Sequence, residues 1–189
     1  MSEKEFWIQT YTGQKFNLLN PTPSTVNIVD IAHSLSNICR FNGHSSKMYS
    51  VSQHSLTVAM AMKKDGFSDK EALVGLMHDA HEAYIGDMMR PVKWALMDLF
   101  GFDINKFENP IKEAISIRFN VDIIAISDEV KKYDDAVLRT EVNSLFHRVI
   151  DNWTDSIKFR LKSSIKESLP PKECSDLFIH TFKRLGGKI

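Results

Sequence analysis

Apolar residues along the chain recur mostly with helical spacing, and polar loops punctuate them at regular intervals. The exception comes first. In FWIQTYTGQKFNLL, Trp7, Gln9 and Tyr11 alternate with Ile8 and Thr10, and Gly13 offers a turn, which predicts a small hairpin. NPTPS, at 20–24, is a loop fixed by two prolines. From Asn27 to Arg40, Ile28, Ile31, Leu35 and Ile38 return every three or four residues and predict a helix. RFNGHSSKMYS interrupts it. A second helix starts near Ser52, carries Leu56, Val58, Ala59 and Met62, and ends at Asp65-Gly66. The third has the clearest start, because Ser68 and Glu71 form a capping-box pattern ahead of an apolar run. Its periodicity predicts one helix to about Tyr84, stopping near Gly86. Pro91 suits the first turn of a fourth helix. Further helices are predicted over about Pro110–Phe119, with an earlier start left open, and over Ile126–Val149, Trp153–Ser168 and Cys174–Leu185. With no internal repeat and no linker, the fold class is all-α in a single domain with a minor N-terminal hairpin.

Composition narrows the field slightly. The 189 residues are 43% hydrophobic and 25% charged, ordinary globular values. Lys plus Arg equals Asp plus Glu at 24 each, which gives no support for a nucleic-acid or membrane-surface partner. The N-terminus lacks an apolar signal core and no run approaches a membrane span. Cys39 and Cys174 have neither metal-binding nor redox spacing. The expectation is a soluble cytoplasmic protein.

One stretch departs from ordinary helix chemistry. LMHDAHEAYIGD, at 76–87, places two histidines, two aspartates and a glutamate on a segment whose other residues belong in a core. Such groups are costly to bury unpaired. A divalent cation compensates them, because it favours neutral imidazole and ionised carboxylate together. His78 and Asp79 are adjacent, and Glu82 follows His78 by four residues on the same face. Further ligands must come from elsewhere. His54 and Asp134 both sit amid apolar neighbours on predicted helices, and neither shows a local charged partner that explains its position. Asp135, next to Asp134, is an alternative. His81 reads as a neighbour of the site or an exposed residue, His33 as surface or packing, and His147 and His180 as structural or solvated.

The order H…HD…D resembles the HD-domain phosphohydrolase superfamily. RFNGHSSKMYSVSQHS, LMHDAHEAYIGD, RPVK and VKKYDDAVLRTE together resemble its small nucleotide-hydrolysing branch, which holds bacterial 5′-deoxynucleotidases and phage dATP triphosphohydrolases. The likeness runs from about Trp7 to Leu145, with a catalytic core over about 27–150, and leaves the tail beyond Trp153 unmatched. It implies His54, His78, Asp79 and Asp134 as ligands of one divalent metal (Mn, Co, Zn, Fe, Ni or Mg). Asp134 is preferred to Asp135 because Asp134 to Glu141 fits the D-x(6)-E spacing of those proteins. Glu82 and Asp87 would activate water and protonate the leaving group. Arg40 would contact phosphate. Phe41 stands where a relative has a sugar-packing tryptophan, and Met89 where a proline is common. His44, beside Arg40 in its loop, is a candidate substrate contact. Lys93 would add a point charge to a longer phosphate chain, or else is an exposed lysine. The resemblance implies a deoxynucleotide substrate, with a lean to a deoxynucleoside triphosphate over a monophosphate, and a homo-oligomer. A cyclic or polyphosphorylated signalling nucleotide, or a non-catalytic sensor, are the competing expectations.

Overall fold

The computed structural model describes residues 5–151, 153–161, 164–165 and 167–188. Two strands, β1 (Trp7–Gln9) and β2 (Lys15–Asn17), pair antiparallel with Ile8 opposite Phe16. Gly13 has φ +85° at the turn, a conformation glycine adopts without steric cost. Eight helices follow among the described residues: α1 (Ile28–Asn37), α2 (Val51–Lys64), α3 (Asp69–Met77), α4 (Glu82–Ile85), α5 (Arg90–Phe100), α6 (Asn105–Phe119), α7 (Asp128–Leu145) and α8 (Pro171–Arg184). The all-α expectation with a small hairpin holds.

Helix starts follow local chemistry. The Asn27 side chain accepts from the Val29 amide, that of Ser50 from Gln53, and that of Ser127 from Val130. Ser68 and Glu71 form the full reciprocal capping box. α2 lies at the centre, packed against α1, α3, α7 and α8. Ile31, Leu35, Val58, Met62, Leu76, Ile115, Val137, Phe178 and Phe182 fill one continuous core. α8 is therefore a structural wall, packed mainly on α1.

Two expectations need correction. The predicted helix from Ser68 to Tyr84 is broken: α3 stops at Met77, residues 78–81 form turns, and α4 restarts at Glu82. Across the break, Ala80 donates to the Met77 carbonyl and Glu82 to that of Asp79, each three residues back. The tighter winding frees the Gly75 carbonyl for a side chain. The predicted helix over Trp153–Ser168 is absent from its described residues, which form turns and irregular chain; 162, 163 and 166 lie outside them. α6 takes the earlier of the two starts left open, at Asn105, with Pro110 inside the helix.

Candidate metal centre

Because α2 packs against both α3 and α7, the second turn of α2, the end of α3 and the middle of α7 meet. His54, His78 and Asp134 come together there, each offering a ligand atom within 4.8 Å of the others. His54 Nε2 lies 3.2 Å from Asp134 Oδ1, and His78 Nε2 lies 3.9 Å from that oxygen. Asp79 Oδ2 is 3.1 Å from His78 Nε2 and 3.7 Å from His54 Nε2. The four side chains expected as ligands thus converge, and their donor set of two imidazoles and two carboxylates suits a divalent first-row metal.

The outer contacts fix the tautomers. His78 Nδ1 is 2.8 Å from the Gly75 carbonyl, which can only accept, so Nδ1 carries the proton. Neutral His78 then presents a lone pair at Nε2. His54 Nδ1 is 2.7 Å from Glu141 Oε1, which orients its Nε2 inward in the same way. Both Nε2 atoms are buried without a hydrogen-bond partner among the described residues. Orphaned imidazole nitrogens held from behind by a carbonyl and a carboxylate fit a metal well.

Electrostatics agree. Asp79, Glu82, Asp87, Asp134 and Glu141 surround the buried Arg40, whose guanidinium feels Glu141, Asp87, Asp79 and Asp134. Burial raises Glu82 well above the usual carboxylate range, and repulsion from Asp79 and Asp87 adds to it. Burial raises Asp87 as well, with Asp79 adding and Arg40 opposing. Burial resists the charge on Asp79 and Asp134, yet the two imidazoles hold both below the usual range. Burial and Arg40 disfavour charge on His54, but Glu141 and Asp134 outweigh them and bring it to about 9. The site has an excess of carboxylate for a cation to neutralise.

The other expected site residues fall into three groups. Arg40 is at the site, but its Nε donates to Glu141 Oε2 at 3.0 Å, and Nη1 lies 4.0 Å from Asp79. The Lys93 ammonium lies 2.7 Å from Glu108 Oε1, and its charge still reaches Glu82 and Asp87. Phe41 and His44 sit on the loop but differ. Phe41 is only 8% exposed, packed with Tyr49, Val142 and Leu145 and edge-on to Phe146, so its ring is a core contact. It adopts φ +56° next to Asn42 at +48°, two consecutive left-handed residues that turn the chain sharply. His44 is exposed.

Four residues gain roles that the sequence reading did not assign. Glu141 is fully buried and bridges His54 and Arg40. Lys131 donates to Asp134 Oδ2 at 2.9 Å and to Asp135 Oδ1 at 2.6 Å. It is a local charged partner, contrary to the expectation that Asp134 had none, and the i, i+3 spacing signals it. Glu108 gathers His81 at 3.3 Å, Lys93 at 2.7 Å and Lys112 at 2.8 Å, so His81 is a buried member of a charge cluster rather than an exposed residue. Arg139 is 7% exposed and donates to the carbonyls of Thr154 and Ile157 and to Asp155. His33 stacks on Tyr11, and His147 and His180 are exposed.

Fold and site define the class: an all-α protein with a buried two-histidine, two-carboxylate cluster. No family model matches the chain. It is 32% identical over 149 residues to an uncharacterized protein of Rhodobacter capsulatus, covering 75% of this chain and 74% of that one. It is 35% identical over 139 residues to the uncharacterized protein YfdR of Escherichia coli, covering 74% and 72%. The chain belongs to the family of these two proteins.

Proposed function

We propose that the chain is a metal-dependent phosphohydrolase of the HD-domain type that acts on 2′-deoxynucleotides, with a deoxynucleoside triphosphate as the leading substrate. One observation carries the reading: two imidazoles, each held from behind at Nδ1, turn their Nε2 atoms toward Asp79 and Asp134 in an acid-rich site. His54, His78, Asp79 and Asp134 would hold the ion. When bound, a divalent cation lowers the pKa of water and offsets charge on phosphoryl oxygens. The protein's own residues do the rest. Glu82 and Asp87 repel each other in a desolvated site, so one keeps a proton to deliver to the leaving oxygen while the other takes one from water. Arg40, fixed through Nε, keeps its Nη groups for the phosphate.

The proposal includes a cytoplasmic location, no nucleic-acid or membrane partner, and assembly as a homo-oligomer. No described helix is long and apolar enough to cross a membrane. The test is product identification by ion chromatography, with Mn or Co added and dATP, dAMP and ATP supplied in parallel. Triphosphate from dATP is the expected product, and a weaker ATP lane would establish sugar selection. Orthophosphate from dAMP alone would make the protein a 5′-deoxynucleotidase. No product from metal-loaded protein would overturn hydrolysis of these nucleotides and favour a signalling nucleotide or a sensor. Glu82→Gln should lower turnover by about 10²-fold or more while metal content stays constant; unchanged turnover would remove Glu82 from the chemistry.

A further inference from the structure

Beside the metal cluster lies a groove of about 370 Å³ with no role so far. Its walls come from three places: Arg90 at the start of α5, Lys132 and Asp135 on α7, and Trp153, Lys158 and Phe159 on the strap that follows α7. The strap is firmly seated. Buried Arg139 binds the Thr154 and Ile157 carbonyls, both at 2.8 Å, and Asp155 at 2.9 Å. Phe159 packs edge-on to Tyr133, and Lys132 Nζ sits 4.3 Å from the centre of its ring. Groove and metal cluster share a wall, because Lys131 bonds Asp134 of the cluster and Asp135 of the groove with the same ammonium.

Three cations and one carboxylate line this groove, so its ligand is anionic. The cations stand on three separate elements around a volume far larger than one phosphate, so a chain of linked phosphates engages them and a single phosphate does not. Arg90, Lys132 and Lys158 are all exposed, and only Arg90 is close to the groove's carboxylate, at 3.7 Å from Asp135.

We infer that this groove is the polyphosphate subsite of the chain, with Arg90, Lys132 and Lys158 as its specificity-determining residues for phosphate-chain length. This rests on the proposed function for the nucleotide but not for the anion. A triphosphate that reaches the metal cluster through its first phosphorus would lay its outer phosphates along the α7–strap wall. A monophosphate would leave the groove empty, and the cations would contribute nothing to its binding.

The test is direct binding to chelator-treated protein, which needs no turnover. In a Trp7→Phe/Trp94→Phe background, Trp153 is the remaining tryptophan and reports from the groove wall. Inorganic tripolyphosphate should change its emission and bind with a steep salt dependence, while orthophosphate should not compete. Arg90→Gln, Lys132→Gln and Lys158→Gln should each weaken tripolyphosphate by about tenfold. Their exposure keeps the fold safe, and circular dichroism verifies it. Tripolyphosphate binding that all three variants leave unchanged, or no binding to wild type, would overturn the subsite. With Mn present, the same variants should raise KM for dATP and leave dAMP alone. Failure of all turnover with binding intact would sink the hydrolase reading and keep the subsite; turnover with unchanged binding would do the reverse.

Discussion

Glu141 shows how much of this site depends on one side chain that stands behind the candidate ligands. It is the anion behind His54 and the partner of Arg40, wholly out of water. Glu141→Gln keeps the shape, removes the charge and leaves one acceptor oxygen where His54 and Arg40 each use one, so the anion behind His54 and the closest counter-charge of Arg40 are both lost. Metal affinity should fall by about 10–100-fold, read by chelator competition; an unchanged affinity would mean that Glu141 serves Arg40 alone. The same contacts set the pH response. His54 is raised from its ordinary 6.5 to about 9, since Glu141 and Asp134 overcome burial and Arg40. Below pH 9 the metal-free site therefore holds a proton that an incoming ion must displace, and metal affinity should rise with pH until it levels near 9. Stability of the metal-free protein runs the other way. The contribution from His54 is complete below about 6.5 and fades as pH climbs toward 9. Titrating metal affinity and thermal midpoint over pH 6–10 checks both signs. The convergence of His54, His78, Asp79 and Asp134 was legible because an HD pair on an apolar segment is chemically odd and its resemblance to known phosphohydrolases pointed to the distant partners. Glu141 entered only as a spacing mark, since its contacts lie 87 and 101 residues away in sequence. Lys131 is legible by its i, i+3 spacing from Asp134.

At the scale of elements, the site exists because α3 ends early. Periodicity in the sequence carries smoothly from Ala72 to Tyr84, so one helix was the natural reading, and nothing in hydrophobic spacing distinguishes a helix from a helix broken by turns. The break is chemical. It gives up regular hydrogen bonds so that the Gly75 carbonyl can hold His78. Gly75 also packs tightly against α2: an added Cβ would stand 2.7 Å from Met62 Sδ and 3.3 Å from Val58. Gly75→Val should push the two helices apart, cost about 1–3 kcal/mol of stability and weaken metal binding as well. Thermal unfolding and chelator competition on the one variant check both. By contrast Ser68→Ala, at the far end of α3, should cost about 1 kcal/mol and leave metal binding unchanged. A metal defect in Ser68→Ala would mean that the whole of α3, rather than its last turn, governs the site. The capping box was readable because its partners lie three residues apart; the strap after α7 was not, because Arg139 reaches it from a helix whose pattern says only that the position is buried.

Across the whole molecule, one helix stands apart. The seven other helices of the described residues each bury side chains, while α5 buries none. Trp94, Met97, Leu99 and Phe100 on it are 48–74% exposed. Helices of soluble domains normally hide their apolar stripe, and a contiguous exposed one marks an interaction surface. α5 is also tied to the centre of the protein through its first turn: Arg90 borders the groove beside Asp135, and Lys93 reaches Glu108 in the charge cluster around His81. If the proposed homo-oligomer forms through this face, a second copy of the chain would cover it and connect assembly to the rim of the candidate metal site. Light scattering should then give a mass above the 21.6 kDa of one chain. Leu99→Asp with Phe100→Asp should return it to that value with the helical circular dichroism unchanged. A wild-type monomer would sink the assembly, and an oligomer indifferent to both substitutions would move the interface off α5. If the double variant is monomeric and also binds metal normally, assembly and ion binding are independent; a loss of both would show that α5 holds the α4–α5 loop, with Asp87, in place through its partner.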